Sequence, residues 1–236
     1  MTILPRTAMG SGRPPAEEQL RIILHRWGDP GRTPTMRHSP REELLGQGSA
    51  SEWVHLVRAG LVKLVHHHED GRATILGLRG RGSLLGACAA LAGGLHPYSA
   101  IAVTACETHR IAIREFLQSV REVPAVSWAV HAAHCDELQQ QMMQLAALAC
   151  LTARERLEEF LAILSEELDW DPAQAGNGVE LPVRDWELAQ LLAITPPYLS
   201  KLMTELRASG RLTRHGKRGR YLRASGGPPS GQRGEG

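Results

Sequence analysis

The side chains whose types and spacing could do chemistry stand close together near the C-terminus: Pro197, Tyr198, Ser200, Lys201 and Thr204. Hydroxyl and ammonium groups donate hydrogen bonds to phosphate oxygens and to base edges. Residues 184–223 hold nine Lys or Arg against three Asp or Glu, a surplus of six positive charges. That surplus suits a surface that lines phosphates, whereas a merely solvated basic helix pair is the alternative. We therefore expect a DNA-binding surface in this segment.

Two short helices must position these side chains. Apolar residues at helical spacing predict the first helix: Leu188, Leu191 and Leu192. Ala189 is small where a second helix must cross closely. Thr195, itself a candidate DNA contact, can cap the second helix through its hydroxyl, and Pro196 suits the first helical position. The buried side of that second helix would be Leu199, Leu202, Met203 and Leu206. The pattern predicts a helix-turn-helix in which Ala193 stands at the turn position that Gly usually fills, so the turn either avoids positive φ or carries strain.

A basic hairpin follows the two helices. Residues 211–214 and 220–222 read as strands on either side of His215-Gly216-Lys217-Arg218-Gly219. We expect this hairpin to form a wing whose tip residues, Lys217 and Arg218, touch phosphates.

Composition sets the outer limits. A chain of 236 residues suits two modest domains, and its net charge of +2 conceals a basic C-terminal quarter. No apolar run is long enough for a membrane helix and no signal segment begins the chain, so we expect a soluble cytoplasmic protein. The four cysteines are widely spaced without a C-x-x-C pair, which indicates neither a disulfide framework nor a zinc site.

The middle of the chain reads as a small antiparallel sheet structure. Short apolar runs separated by glycine-containing turns predict strands at residues 53–58, 61–68, 72–79, 98–105 and 109–113. Strands so evenly spaced suggest a barrel or roll that could hold a ligand inside. The fold class is therefore α+β.

Residues 124–150 predict one long helix with a heptad seam. The seam residues are Trp128, Cys135, Leu138, Met142 and Leu145, with His131 as a polar exception. A seam of this kind fits a homodimer, and Met143, Ala147 and Leu148 would give the helix a second apolar face for its own roll. A helix packed only on its own domain is the alternative. Two copies of Cys135 could also meet and oxidise, although a packed thiol in a reducing cytoplasm is the simpler reading.

A break at Leu151-Thr152 separates this helix from the next. Thr152 and Glu155 form a capping-box pattern that starts a helix over residues 153–168, which makes the junction a natural hinge. We expect a disordered tail at 1–16, a sensor roll with an N-terminal helix at 17–123, a dimerisation helix at 124–150, a winged helix-turn-helix at 151–223 and a second disordered tail at 224–236.

The order of these parts resembles the CRP/FNR family of bacterial transcription regulators over residues 37–222. Local echoes are WVHLVRAGLVKLV, HEDGRATILGL, the glycine at Gly86, LTARERL and ITPPYLSKLMTEL. The resemblance implies a cyclic-nucleotide-binding-like roll and a homodimer on double-stranded DNA with a palindromic operator. It also implies RNA polymerase as a partner, no catalysis and no membrane contact.

The resemblance also defines an effector pocket. Binders of cyclic nucleotides in this family carry a Gly-Glu pair for the ribose and an Arg-Ser pair for the phosphate. The matching positions here are Gly86-Ala87-Cys88 and Tyr98-Ser99. Ala87 offers no acceptor and Tyr98 no charged clamp, so we expect no cAMP response. No cysteine precedes Cys88, which argues against the family's iron–sulfur cluster. No cofactor is predicted, and the effector, a ligand or a redox signal, stays unknown.

The same comparison bears on base readout. The recognition helix of the family often places a Glu and an Arg at base edges, and Pro197 and Lys201 occupy those positions here. Because proline cannot accept a hydrogen bond from cytosine, we expect a different target site, with Lys201 to guanine as the best single base contact.

Two readings outside transcription stay open. A small-molecule or redox sensor without DNA output would share the roll. His66-His67-His68 echoes the start of a cupin metal motif, but the later ligands that a cupin enzyme needs are missing, so we predict no metal site and no enzyme.

Overall fold

We describe the protein from a computed structural model, which covers residues 16–27, 33–167, 179–209, 212–215 and 218–221. The first helix, α1 (Ala16–Trp27), begins one residue earlier than the sequence predicts, inside the expected disordered tail. The rest of both predicted tails and the predicted 171–178 linker lie outside the described residues.

Eight strands form the roll in two four-stranded antiparallel sheets. The strands are β1 (Thr35–His38), β2 (Glu43–Leu45), β3 (Trp53–Ala59), β4 (Val62–His67), β5 (Ala73–Arg79), β6 (Leu84–Leu85), β7 (Ser99–Ala102) and β8 (Cys106–Ala112). Their orders are β1-β8-β3-β6 and β2-β7-β4-β5. The five predicted strands are confirmed with small shifts at their ends. β1, β2 and β6 were missed because two to four residues are too few for an alternating pattern.

The turn between β3 and β4 needs its glycine. Gly60 has φ +89°, and a Cβ there would collide with the backbone carbonyl of Ala105 and with Cys106. Any other residue would therefore be strained and would force β8 away from the turn.

In the described part of the chain, one helix precedes the sheets and four more interrupt or follow them before the C-terminal unit. They are α2 (Ala87–Ala92), α3 (Ile113–Glu122), α4 (Pro124–Cys150) and α5 (Ala153–Glu167), in addition to α1. α4 has the predicted bounds, whereas the short α2 was not predicted. No helix in the described part of the chain is both long and apolar enough to cross a membrane.

The first half of α4 packs on the roll. Val126, Ala129 and Val130 are buried in one cluster with Trp27 and Phe116, whose rings lie 5.3 Å apart. The predicted second apolar face further along the helix is wrong, because Met143 and Leu148 are exposed. Only Ala147 of that set is partly covered.

The capping box at the junction between α4 and α5 forms as the sequence predicts. The Thr152 N–H donates to Glu155 Oε2 at 2.7 Å, and the Glu155 N–H donates to Thr152 Oγ1 at 3.3 Å. Arg156 then ties two elements together, since its Nη1 donates to the Leu151 carbonyl at 2.8 Å and its Nε to the Leu192 carbonyl at 3.1 Å.

The C-terminal unit contains α6 (Asp185–Leu191), α7 (Pro196–Ala208) and a three-stranded sheet. Its strands are β9 (Val179–Glu180), β10 (Leu212–His215) and β11 (Arg218–Tyr221), in the order β10-β11-β9. The predicted strand over 179–183 is shorter in the structure, because Leu181 and Val183 leave the sheet and are buried in the apolar cluster beneath the two helices.

Candidate nucleic-acid interface

α7 presents one apolar face and one polar face. Its buried residues are those the spacing predicts: Leu199, Leu202, Met203 and Leu206. The opposite side exposes the predicted contact residues: Pro197, Tyr198, Ser200, Lys201 and Thr204. The helix thus has an outward polar surface of the width that a DNA groove accepts, and the role of each exposed residue stays a prediction.

The start of α7 differs from the prediction in one detail. Pro196 stands in the first turn as expected, but the Thr195 hydroxyl makes no capping hydrogen bond, so its predicted capping role is wrong. Thr195 is the N-cap residue with extended backbone and an exposed side chain. Its hydroxyl is therefore not used by the helix.

The turn between α6 and α7 is strained. Ala193 has φ +51°, a left-handed conformation that a residue with a Cβ rarely adopts. The Ala193 N–H donates to the Gln190 carbonyl and the Ile194 N–H to the Ala189 carbonyl, both at 3.0 Å. These bonds hold the tight turn that sets the angle between the two helices.

Two polar residues of α7 differ in how many hydrogen-bond donors they can offer to a partner. The Thr204 hydroxyl donates to the Ser200 carbonyl at 2.8 Å, so it offers an outside partner only acceptor capacity. Lys201 is exposed, and no ion pair is found for it among the described residues. Its three donors remain available to phosphate or to a base edge.

The wing hairpin is tighter than the sequence suggests. β10 and β11 pair as far as His215 with Arg218, so the connection is shorter than the predicted loop over 215–219. Arg218 is the first residue of β11. Lys217 lies outside the described residues.

The candidate effector-pocket residues lie where β6, α2 and β7 meet. Gly86 has φ +84° and precedes α2, Ala87 is fully buried, and Cys88 is exposed. Ser99 is buried and accepts a hydrogen bond from the Gln47 N–H at 3.0 Å. Burial, ahead of the charges of Cys88 and Glu137, raises the pKa of Tyr98 to about 12. A neutral phenol cannot supply the positive charge that a phosphate clamp needs.

Two further polar residues lie beside Tyr98 that no sequence pattern indicated. Arg79, which is buried at the end of β5, forms an ion pair with the partly exposed Glu137 of α4, and its Nε donates to Glu137 Oε1 at 3.0 Å. The two positions are 58 residues apart, so no local spacing could have paired them. This ion pair joins the roll to α4 beside the candidate pocket.

His134 of α4 also faces the candidate pocket. Its Nδ1 lies 2.8 Å from the Val130 carbonyl of its own helix. A hydrogen bond with Cys88, partly offset by burial, raises the pKa of His134 to about 9. The Cys88–His134 contact is a second link between α2 and α4.

A chain of polar side chains, buried except at Glu42, runs across the sheet β1-β8-β3-β6. His38 Nδ1 lies 2.7 Å from Glu42 Oε1 and His38 Nε2 lies 3.0 Å from Thr108 Oγ1, which in turn is 3.1 Å from His55 Nδ1. Desolvation, followed by the charges of His38 and Arg110, lowers the pKa of His55 to about 4. The roll interior therefore favours a neutral imidazole at His55.

The seam of α4 is exposed to solvent in the single chain. The exposed fractions are 66% for Trp128, 55% for Leu138, 61% for Met142 and 67% for Leu145. Cys135 is exposed on the same helix. Large apolar side chains aligned in this way are typical of a surface that another chain covers.

The remaining sequence candidates show no assembled site. His66 and His68 have ring centroids 4.8 Å apart, but His66 Nδ1 lies 3.1 Å from the Pro97 carbonyl and His68 Nε2 lies 2.8 Å from Thr74 Oγ1. Within the described residues no three His, Cys, Asp or Glu side chains are grouped as metal ligands. All four cysteines are free thiols.

Comparisons with known proteins agree with this architecture. Residues 35–122 match the family model described as the cyclic nucleotide-binding domain. The nitrogen fixation regulation protein FixK of Azorhizobium caulinodans is 26% identical over 171 residues, covering 72% of this chain and 68% of that protein. The global nitrogen regulator of Synechococcus elongatus is 25% identical over 173 residues, covering 72% and 78%. FixK2 from Bradyrhizobium japonicum shares the fold with a TM-score of 0.68 at 23% identity, covering 81% of this chain and 92% of that one.

Proposed function

We propose that the chain is a transcription regulator of the CRP/FNR type, which its cyclic nucleotide-binding domain match and its regulator relatives support, and that it binds double-stranded DNA sequence-specifically as a homodimer. The observation that carries this proposal is the outward polar face of α7 above an apolar core. The tight turn at Ala193 and the Arg156 hydrogen bond hold that face in position relative to the rest of the unit. RNA polymerase is the further partner that a regulator of this type would need, and no catalytic step is proposed.

The paired geometry supports two-site recognition. Two helix-turn-helix units joined through α4 would meet two half-sites about 34 Å apart, so the operator would be palindromic. Lys201 would read a base, while Ser200, Thr204, Thr195 and the wing would position the protein on phosphates.

Lys201 gives the sharpest test. The operator is first selected from a random double-stranded DNA library, and affinity is then measured by fluorescence anisotropy at several salt concentrations. Lys201→Ala should weaken binding to the selected site by about 1 to 3 kcal/mol and binding to random DNA very little. Arg121→Ala, which removes an exposed positive charge on α3, is the matched control and should change neither.

Two results would count against this function. Equal losses on the selected and the random DNA would make Lys201 a phosphate contact. Wild-type binding that does not weaken as salt rises would contradict specific DNA binding altogether, because phosphate contacts release counterions.

We also propose that cAMP is not the effector. Ala87 and Tyr98 replace the acceptor and the cation that a cyclic nucleotide requires, and the Arg79–Glu137 ion pair occupies the neighbouring region. Calorimetric titration should show no cAMP binding, and an affinity in the micromolar range or tighter would contradict the proposal.

A further inference from the structure

The roll and the helix-turn-helix meet through a buried ion pair. Lys63 of β4 contacts Glu187 of α6, with 16% and 8% of the two side chains exposed. The Lys63 ammonium also lies 5.7 Å from the centre of the Trp186 ring. Removing one partner of such a pair leaves a buried charge uncompensated, so the contact is costly to open on one side only.

Glu187 serves both sides of this contact at once. Its Oε1 accepts from Lys63, while its Oε2 accepts from the Arg184 N–H at 2.8 Å and so caps the start of α6. The carboxylate that orders the first turn of α6 is therefore the one that joins the unit to the roll.

Gln190 adds a two-point contact with the backbone of an edge strand. Its Oε1 accepts from the Ile75 N–H at 3.2 Å and its Nε2 donates to the Ala73 carbonyl at 3.3 Å. β5 is the last strand of its sheet, so these backbone groups face away from β4. The carboxamide pairs with them as a neighbouring strand would, which fixes both the position and the direction of α6.

Apolar contacts continue the same surface. Leu61 and Leu78 of the roll belong to one buried cluster with Leu188, Leu192 and Phe160. Polar contacts with fixed geometry on an apolar base allow far fewer orientations than apolar contacts alone.

β4, the strand that carries Lys63, also pairs with a strand of the candidate effector pocket. β4 pairs with β7 so that Val65 lies opposite Ser99 and Lys63 opposite Ile101. A shift of β7 at the pocket would move β4 and, two residues along, the Lys63 ammonium. The exposed face of α7 is left clear, since α6 makes the ion pair and the Gln190 contact.

We propose that Lys63 and Gln190 are positioning residues whose contacts with α6 and β5 hold the helix-turn-helix in its DNA-reading orientation. This inference rests on the proposed DNA-binding function. A fixed orientation matters most when two helix-turn-helix units must meet two half-sites at a set spacing. If the units were mobile, ordering them on the DNA would cost entropy and weaken binding.

The first experiment tests the docking contact without DNA. Amide hydrogen exchange of Ile75 is measured in the full-length protein for wild type, Gln190→Ala and Lys63→Met. Both variants should speed the exchange of Ile75 about tenfold or more, because Gln190→Ala removes the acceptor of that amide and Lys63→Met loosens the α6 contact that holds the acceptor in place. Arg72→Met, on the same hairpin but paired only with Asp70 in the described chain, is the control and should leave Ile75 unchanged. Equal exchange in wild type and Gln190→Ala would overturn the inference whatever the protein does with DNA.

The second experiment separates positioning from simple damage. Affinity is measured for the selected two-half-site operator and for a DNA with one half-site. Lys63→Met and Gln190→Ala should each weaken binding to the full operator about tenfold and leave binding to the single half-site within about twofold. Lys63→Arg, which keeps the charge, should restore most of the operator affinity.

Other outcomes count against the inference in distinct ways. Equal losses on both DNAs would show damage to the helix-turn-helix rather than loss of orientation. Unchanged operator affinity with fast Ile75 exchange would show that docking does not position the reader. Absence of specific DNA binding in wild type would instead contradict the proposed function, while the exchange data would still decide whether the docking contact forms.

Discussion

α4 and α7 each bury one side and expose the other, but the exposed sides differ in chemistry. The outward side of α7 carries hydroxyls, a phenol and an ammonium. The outward side of α4 carries Trp128, Leu138, Met142 and Leu145, all more than half exposed in the single chain. The two helices therefore indicate two kinds of partner.

Water explains why the difference is informative. A polar face stays hydrated at little cost until a charged partner such as a phosphate backbone replaces the water. An apolar face of aligned large side chains is unfavourable in water and gains when another apolar face covers it. The heptad spacing on α4 matches a second copy of the same helix, whereas α7 suits a groove lined with polar groups.

The largest expected effect comes from charging the α4 face. The double change Leu138→Lys and Leu145→Lys places four ammonium groups in the symmetric seam and should weaken dimerisation at least about 1000-fold, because each must be desolvated against its mate. Sedimentation equilibrium measures the result. Met143→Lys lies on the same helix outside the seam and should leave the dimer intact. A dimer that survives the double change would assign the interface to another surface.

The buried side of α7 should be the next most sensitive. Leu199→Ala should lower the free energy of unfolding by roughly 3 to 5 kcal/mol, since Leu199 is 1% exposed and a cavity remains. Tyr198→Ala, one residue away on the exposed side, should change it by about 0.5 kcal/mol or less. Denaturant unfolding of both variants gives the comparison. Similar losses would mean that the exposed face of α7 is packed after all.

Acid should affect the stability of the roll beneath α4 differently from that of the helix-turn-helix unit. α4 rests on a roll that keeps His55 neutral, whereas Glu187 is the one charged residue that is buried in the described part of the helix-turn-helix unit. Since the pKa of His55 falls from about 6.5 in the unfolded chain to about 4 in the fold, the unfolded state binds the proton first as pH drops. His55 therefore stabilises the fold fully above pH 6.5, and up to about 3 kcal/mol is lost between pH 6.5 and 4.

Urea unfolding at pH 7.5 and at pH 4.5 tests this dependence. His55→Gln should reduce the difference in unfolding free energy between the two pH values. An unchanged difference would contradict the assignment to His55. His134 has the opposite sign: its pKa is raised to about 9, so its contribution is present below pH 6.5 and lost as pH rises towards 9.

The smallest expected effect is at the junction between the two regions. Thr152→Ala removes a capping bond of α5 and should cost about 1 kcal/mol of unfolding free energy. Thr195→Ala is a matched control, because Thr195 holds the same position on α7 without a capping bond. Thermal unfolding should thus distinguish the two threonines, and equal losses would mean that the Thr195 hydroxyl also caps its helix.

Much of the helix-turn-helix unit could be predicted from the sequence because helical periodicity is a local property. Leu199 to Leu206 recur at the spacing of one helix face, and the same spacing leaves Lys201 outside whatever the rest of the chain does. Heptad spacing likewise placed Leu138 and Leu145 on one side of α4. The capping box at Thr152 needs only residues three apart.

Contacts between distant elements could not be predicted in this way. Alternating apolar patterns did not predict β1, β2 and β6. These short strands form because they pair with longer neighbouring strands. Apolar spacing also predicted that Met143 and Leu148 pack on the roll, whereas both side chains are exposed.

By itself, the sequence determined the longer helices, their faces and the charge of the helix-turn-helix unit, because each depends on residues within a few positions of one another. Only the tertiary structure decided that Lys63 meets Glu187 across 124 positions and that Arg79 meets Glu137 across 58. Those pairings depend on how the sheets and helices pack, and packing brings together side chains that carry no mark of each other in the sequence.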